Sequence, residues 1–194
     1  MNELMGARSL TTRPVVTLGG DAVAHVKDTV FDSAAGRITG FTLSGRGLWS
    51  GPMKEGLPWS AVHALGHDAV MVRDRRGLVS TALLTVHRET LRGRLLGANV
   101  VTDAGTEVGT VLDVVVEGGT GGRVVGFRVA ASRRFAPGPA RHRRKVYVAR
   151  GQTLTVAGRA LVLPLDAVRH VADDLSGFTA LLGGVPGSWR GSLS

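Results

Sequence analysis

The chain has no cysteine. Disulfides, thiolate metal sites and cysteine nucleophiles are therefore excluded. Aromatic residues are scarce, at 5% of 194 positions. Val, Leu, Ala and Gly take their place, a mixture that suits short β-strands joined by glycine turns. Nowhere does the sequence approach the roughly 18–20 apolar residues of a membrane span, so no integral membrane segment is expected. Met1 to Pro14 lacks the apolar core of a secretory leader, because Leu4, Met5 and Leu10 are separated by polar and small residues. The simplest location is the cytoplasm. Acidic residues are outnumbered, 15 against 24 Lys and Arg, for a net charge of +9. Such a surface attracts polyanions: nucleic acid, anionic lipid or an acidic protein.

What is present begins with 43% hydrophobic residues. That is enough for a buried core and excludes global disorder. The 28 glycines are scattered between apolar runs. The positive charge, in contrast, is concentrated. Arg133, Arg134, Arg141, Arg143, Arg144, Lys145 and Arg150 fall in one segment with no acid among them, and without these seven the balance drops to +2.

Aligned against itself, the chain repeats. Val23 to Asp32 lies on Val108 to Glu117 at an offset of 85, which sets Asp28 on Asp113 and Asp32 on Glu117. Gly36-Arg37-Ile38-Thr39-Gly40-Phe41 then matches Gly122-Arg123-Val124-Val125-Gly126-Phe127 at an offset of 86. The extra residue lies in the glycine-rich turn Gly118 to Gly122. A third landmark, Leu57-Pro58-Trp59-Ser60-Ala61-Val62, matches Leu163-Pro164-Leu165-Asp166-Ala167-Val168 at an offset of 106, which implies about 20 residues inserted in the second copy. Each copy reads as β. A β-branched run, a glycine turn and a second run form a hairpin signature. Further short strands are expected at Ala69 to Val72, Lys145 to Ala149 and Leu154 to Leu163. A lone hairpin is marginal in water, so each copy must close into a small barrel or sandwich.

The expected organisation is a flexible N-terminus over 1–12, a first domain over 13–76, a linker over 77–93, a second domain over 94–182 with a basic insertion at 131–150, and a fraying tail over 183–194. In the linker, Leu84, Arg88, Leu91 and Leu95 fall near helical spacing among β-branched residues, an ambiguous pattern.

These landmarks resemble the PRC-barrel family. Gly36 to Phe41 and Leu65-Gly66-His67-Asp68-Ala69-Val70 carry the likeness in the first copy, and Glu107 to Asp113 carries it in the second. Two departures stand out. Ala24-His25 occupies the place of the glycine step at Val108-Gly109, and Asp174-Leu175-Ser176 stands for Asp68-Ala69-Val70. The resemblance implies a mainly β chain of two tandem small barrels with short helical or irregular linkers. The domain occurs in the cytoplasmic part of the photosynthetic reaction-centre H subunit, and in a ribosome maturation factor that docks on a small-subunit ribosomal protein. Those settings share docking and no common active site.

The residues themselves offer little chemistry. His63 and His67 have the i, i+4 spacing that suits a metal on a helix, but no Glu-x-x-His accompanies them and a strand follows. Asp28 with Asp32, echoed by Asp113 with Glu117, lie about 13 Å apart along a strand, too far for a glycosidase-type pair. The glycine runs at Gly19-Gly20 and Gly118 to Gly122 lack the Gly-Lys-Ser/Thr ending of a phosphate loop. No Gly-x-Ser-x-Gly elbow occurs. No catalytic, metal-binding or cofactor-binding residues are expected.

The remaining candidate is the basic segment, with Arg133, Arg134, Arg141, Arg143, Arg144 and Lys145 as polyanion or partner contacts. Phe135 and Tyr147 are its only aromatics, too few for a single-strand platform. The favoured expectation is a non-enzymatic adaptor that contacts a partner protein. The alternative is an RNA- or ribosome-associated factor using Arg133 to Lys145. Attachment to anionic lipid would need the same cations, and exposed barrel edges could pair two chains as a homodimer.

Overall fold

A computed structural model of the chain describes residues 3–47, 50–86, 88–135, 144–151 and 155–184. They form two compact units. The first comprises residues 1–93 with 116–123, and the second 94–115 with 124–194.

The first unit begins with β1 (Leu4–Gly6) and a 3-10 turn at Ala7–Leu10. β2 (Pro14–Thr17), β3 (Ala22–Asp32), β4 (Arg37–Ser44) and β5 (Pro52–Pro58) follow as an antiparallel meander. After a 3-10 turn at Trp59–Ala61 come β6 (Val62–Leu65), β7 (Val70–Val72), β8 (Val79–Ser80) and the short helix α1 (Thr81–Thr85). The sheet runs β6-β7-β2-β3-β4-β5-β8. Register shifts in β2–β3, β3–β4, β4–β5 and β6–β7 supply the local twist by which a sheet curls around one core. Val15, Val26, Val30, Phe41, Leu43, Leu57 and Val70 are buried inside it. β9 (Glu89–Thr90) pairs with the end of β3.

The second unit repeats this plan. β10 (Asn99–Thr102), β11 (Glu107–Glu117), β12 (Val124–Ala131), β13 (Lys145–Ala149), β14 (Thr155–Ala157), β15 (Ala160–Leu163) and β16 (Val171–Ala172) precede helix α2 (Leu175–Gly184). The order β14-β15-β10-β11-β12-β13-β16 matches the first sheet strand for strand. Val100, Val111, Phe127, Val129, Val148 and Leu161 occupy its core. The far end of β11 and its turn, residues 116–123, belong to the first unit, where β1 pairs with β11.

The duplication and both hairpins therefore stand, and β13 has the expected bounds. The turn before each hairpin repeats as well. The Thr17 side chain accepts from the Asp21 N–H at 3.1 Å, and Thr102 accepts from Thr106 at 3.0 Å. Gly20 and Gly105 complete these turns at φ of 92° and 76°.

The third landmark is corrected. Leu57 lies opposite Phe41 on β5, whereas Val148 on β13 lies opposite Phe127. Val70 on β7 runs beside Val15, whereas Leu161 on β15 runs beside Val100. Leu57 thus corresponds to Val148, and Val70 to Leu161, both at an offset of 91. Leu-Pro followed by a 3-10 turn occurs at different places in the two copies. The extra length is about five residues and not 20, and it falls in the β12–β13 connection. The counterpart of Val70 is Leu161, so Asp174-Leu175-Ser176 belongs to the start of α2.

The boundaries also move. Residues 1–12, expected to be flexible, hold β1 and the 3-10 turn, with Ala7 and Leu10 fully buried. The expected linker, 77–93, holds β8, α1 and β9, all built into the first unit. In the expected tail, α2 extends to Gly184, and 185–194 lie outside the described residues.

Candidate binding surfaces

The repeat separates what the fold needs from what it does not. A feature found at equivalent positions of both units serves the architecture. A feature found in one unit alone is not demanded by the shared plan.

The shared Gly-Phe step is architectural. A methyl on Gly40 would run into the Leu57 carbonyl oxygen and the Leu84 side chain; on Gly126 it would run into the Val148 carbonyl oxygen and Phe178. In each unit the missing Cβ lets a helix residue lie directly on the sheet, Leu84 from α1 and Phe178 from α2. Phe41 and Phe127 point the other way, into the cores.

The shared acids are also occupied. The Thr29 N–H donates to Asp28 at 2.9 Å, and the Val114 N–H donates to Asp113 at 2.8 Å. Asp28 is buried and accepts the Arg92 N–H as well, at 3.2 Å. Burial pushes its carboxyl above the ordinary value, opposed by the Arg92 and Thr29 N–H groups and by the Arg92 and Lys27 charges. Asp28 sits at a register shift within the hairpin and does not end a strand. Asp32 does mark a strand end: it accepts the Ala35 N–H at 2.9 Å and pairs with Arg88 at 3.2 Å. Glu117 lies 4.0 Å from Arg123.

His63 lies on β6 and His67 in the turn beyond it, so the two do not share a helix. His67 pairs with Glu3 at 3.2 Å. No group of three metal-capable side chains occurs among the described residues.

The basic candidates fall in and beside the β12–β13 connection. Arg133 and Arg134 are exposed in the turn after β12, and Lys145 is exposed at the start of β13. Arg141 and Arg143 lie outside the described residues. Arg144 makes a two-pronged contact with Asp173, at 2.9 and 2.8 Å. This hydrogen-bonded pair raises the arginine pKa and lowers that of Asp173. Arg144 thus meets an acid distant in sequence, one that a scan of 133–150 could not reveal.

Several one-copy features escaped the sequence reading. Arg13 is buried; its guanidinium donates to the Gly66 carbonyl oxygen, the Met5 sulfur and Ser9, tying the N-terminal segment to the β6–β7 turn. Desolvation lowers its pKa, opposed by Asp68 and Glu3. The equivalent position in the second unit is Ala98. On the second unit, the Arg128 guanidinium lies 5.9 Å from the centre of the Tyr147 ring, which lies 5.8 Å from that of Phe178. On the first unit, Val79, Leu83 and Val86 are 36%, 75% and 55% exposed. These large apolar side chains lie within eight residues, Val79 on β8, Leu83 on α1 and Val86 at its C-cap, inside the segment whose mixed pattern hid them.

No helix among the described residues is long and apolar enough to cross a membrane. Among protein-family models, the PRC-barrel domain matches twice, over residues 2–79 and 89–173. No curated protein matches the chain.

Proposed function

Since the chain belongs to the PRC-barrel family, with two tandem copies of the domain, we propose that it works by binding, as a non-catalytic adaptor that holds a partner protein. The observation that carries this reading is the apolar ridge of Val79, Leu83 and Val86. Leu84 beside them is buried against the sheet and accounts for the helix. Leu83 and Val86 beside it keep more than half of their surface in solvent. Clustered exposed apolar side chains favour a protein contact, because burying them releases water-exposed apolar area. Phosphate and lipid headgroups offer them no such gain. The fold occupies the repeated carboxylates, which supports a role without acid–base chemistry.

Recovery of the tagged full chain from its own cells, with and without nuclease, tests this. The adaptor reading expects a stoichiometric protein that survives nuclease treatment and moderate salt. A cytoplasmic location belongs to the same proposal. So does pairing of two chains along an open sheet edge such as β14, which light scattering of the purified protein would measure.

A second reading has its own support. The β12–β13 connection is the longer of the two equivalents, and it carries arginines with no Asp or Glu among them. An RNA contact through Arg133, Arg134, Arg141, Arg143 and Lys145 would weaken steeply with salt. In the same recovery experiment it would appear as RNA or ribosomes lost on nuclease treatment.

A further inference from the structure

The Gly118 to Gly122 turn is held from several sides. Leu65 and Gly119 exchange two backbone hydrogen bonds, at 2.8 and 3.0 Å. The Ile38 N–H donates to the Gly122 carbonyl at 2.8 Å, and the Gly118 N–H donates to the Glu3 carbonyl at 2.9 Å. Trp59 donates its indole N–H to the Thr120 carbonyl at 3.3 Å. The Trp59 ring lies where a Gly122 side chain would begin, and Gly122 has a φ of 57°. A methyl on Gly118 would meet Met5. Glycine is thus required for space at Gly122 and for backbone conformation at Gly119 and Gly122, with φ of 73° and 57°. A turn that merely reversed β11 into β12 would need none of these contacts.

We propose that the first unit carries a built receptor for a glycine-rich β-turn, and that its resident ligand is the turn 118–122 from the second repeat of the same chain. The receptor consists of the Leu65 edge of β6, the Ile38 N–H, the Glu3 carbonyl and the Trp59 ring. Recognition is by β-pairing to main chain, with the tryptophan admitting only a residue without a side chain. The first repeat is therefore incomplete by itself. With the turn withdrawn, the Ile38 and Leu65 N–H groups lose their acceptors and Trp59 loses its cover.

The test uses the full chain, with Trp49→Phe and Trp189→Phe so that Trp59 alone reports. Gly122→Ala is compared with Gly20→Ala. Gly20 also has a positive φ, of 92°, but open space around its Cβ position, so it controls for backbone strain. In Gly122→Ala, amide exchange at Ile38 and Leu65 accelerates at least tenfold, while the Val26 amide, bonded to Arg13 within the same unit, keeps its wild-type rate. Trp59 emission shifts to the red. Gly20→Ala leaves all three unchanged. Trp59→Leu, which keeps every glycine, gives the same selective acceleration and stands in if Gly122→Ala does not fold. Wild-type exchange at Ile38 and Leu65 in the folded variant, or uniform acceleration that includes Val26, overturns the proposal.

Discussion

Thr12 has a φ of 71°, the only positive value among the described non-glycine residues. Its equivalent, Gly97, has a φ of 79°. The neighbouring hydrogen bonds correspond: Thr12 N–H to the Val26 carbonyl at 2.8 Å, and Gly97 N–H to the Val111 carbonyl at 2.9 Å. The second repeat thus meets with glycine a backbone demand that the first meets with a β-branched residue. The left-handed region costs an L-residue about 1–2 kcal/mol, offset in part by the chain entropy a glycine loses on folding. Thr12→Gly is expected to stabilise the protein by about 0.5–1 kcal/mol. Urea unfolding of the two proteins measures this, and a destabilised variant would show that the threonine is not strained.

Asp28 makes a pH-dependent contribution. Its native pKa lies above the unfolded value because of burial. Between those two values the native state binds more proton than the unfolded state, so the contribution of this residue falls as pH rises. It is fully present below the unfolded pKa and lost as pH passes the raised native one. Asp28→Asn removes the titration. The stability of the variant relative to wild type is expected to climb across that window and then level off. Changed N–H contacts add only a pH-independent offset. A flat difference between the two stability–pH curves would contradict the assignment.

At the scale of elements, the β12–β13 connection is the place to separate charge from ion pairing. Arg144 is already matched by Asp173. If this connection meets a polyanion, replacing Arg133, Arg134, Arg141, Arg143 and Lys145 with Ser should abolish the salt-dependent part of binding to a short RNA. Arg144→Ser should leave the slope of log affinity against log salt nearly unchanged, because each neutralised phosphate contributes about 0.9 or less to that slope. An equal loss from Arg144→Ser alone would show that the pair opens on binding.

The hairpins were legible because period-two β-branched runs and Gly-x-x-x-Gly-Phe are local signals, repeated within one chain. The third landmark misled for an equally local reason. A proline before a 3-10 turn follows β5 in one copy and β15 in the other, and only strand pairing tells them apart. Residues 1–12 read as loose because β1 gains its order from β11, more than a hundred positions away. The candidate surfaces were half visible. The cations can be read from the sequence, but the Asp173 partner, the buried Arg13 and the exposure of Leu83 each depend on which face the chain turns outward.

For the whole molecule, both repeats meet the same internal demands, and what differs between them is where function can reside. The first unit offers an apolar ridge, and the second a longer cationic connection. Leu83 and Val86 are exposed enough to be changed without disturbing Leu84 or the sheet beneath it. The central claim, that this tandem PRC-barrel chain binds a protein through that ridge, is tested most directly by recovering the tagged full chain and its Leu83→Ser, Val86→Ser variant from nuclease-treated extract of the native cells. Unfolding curves that coincide would first establish equal stability. The account predicts that a stoichiometric protein accompanies the wild type and is lost, at least tenfold, from the variant. Equal recovery with both, or recovery of ribosomes or RNA alone from untreated extract, would contradict it.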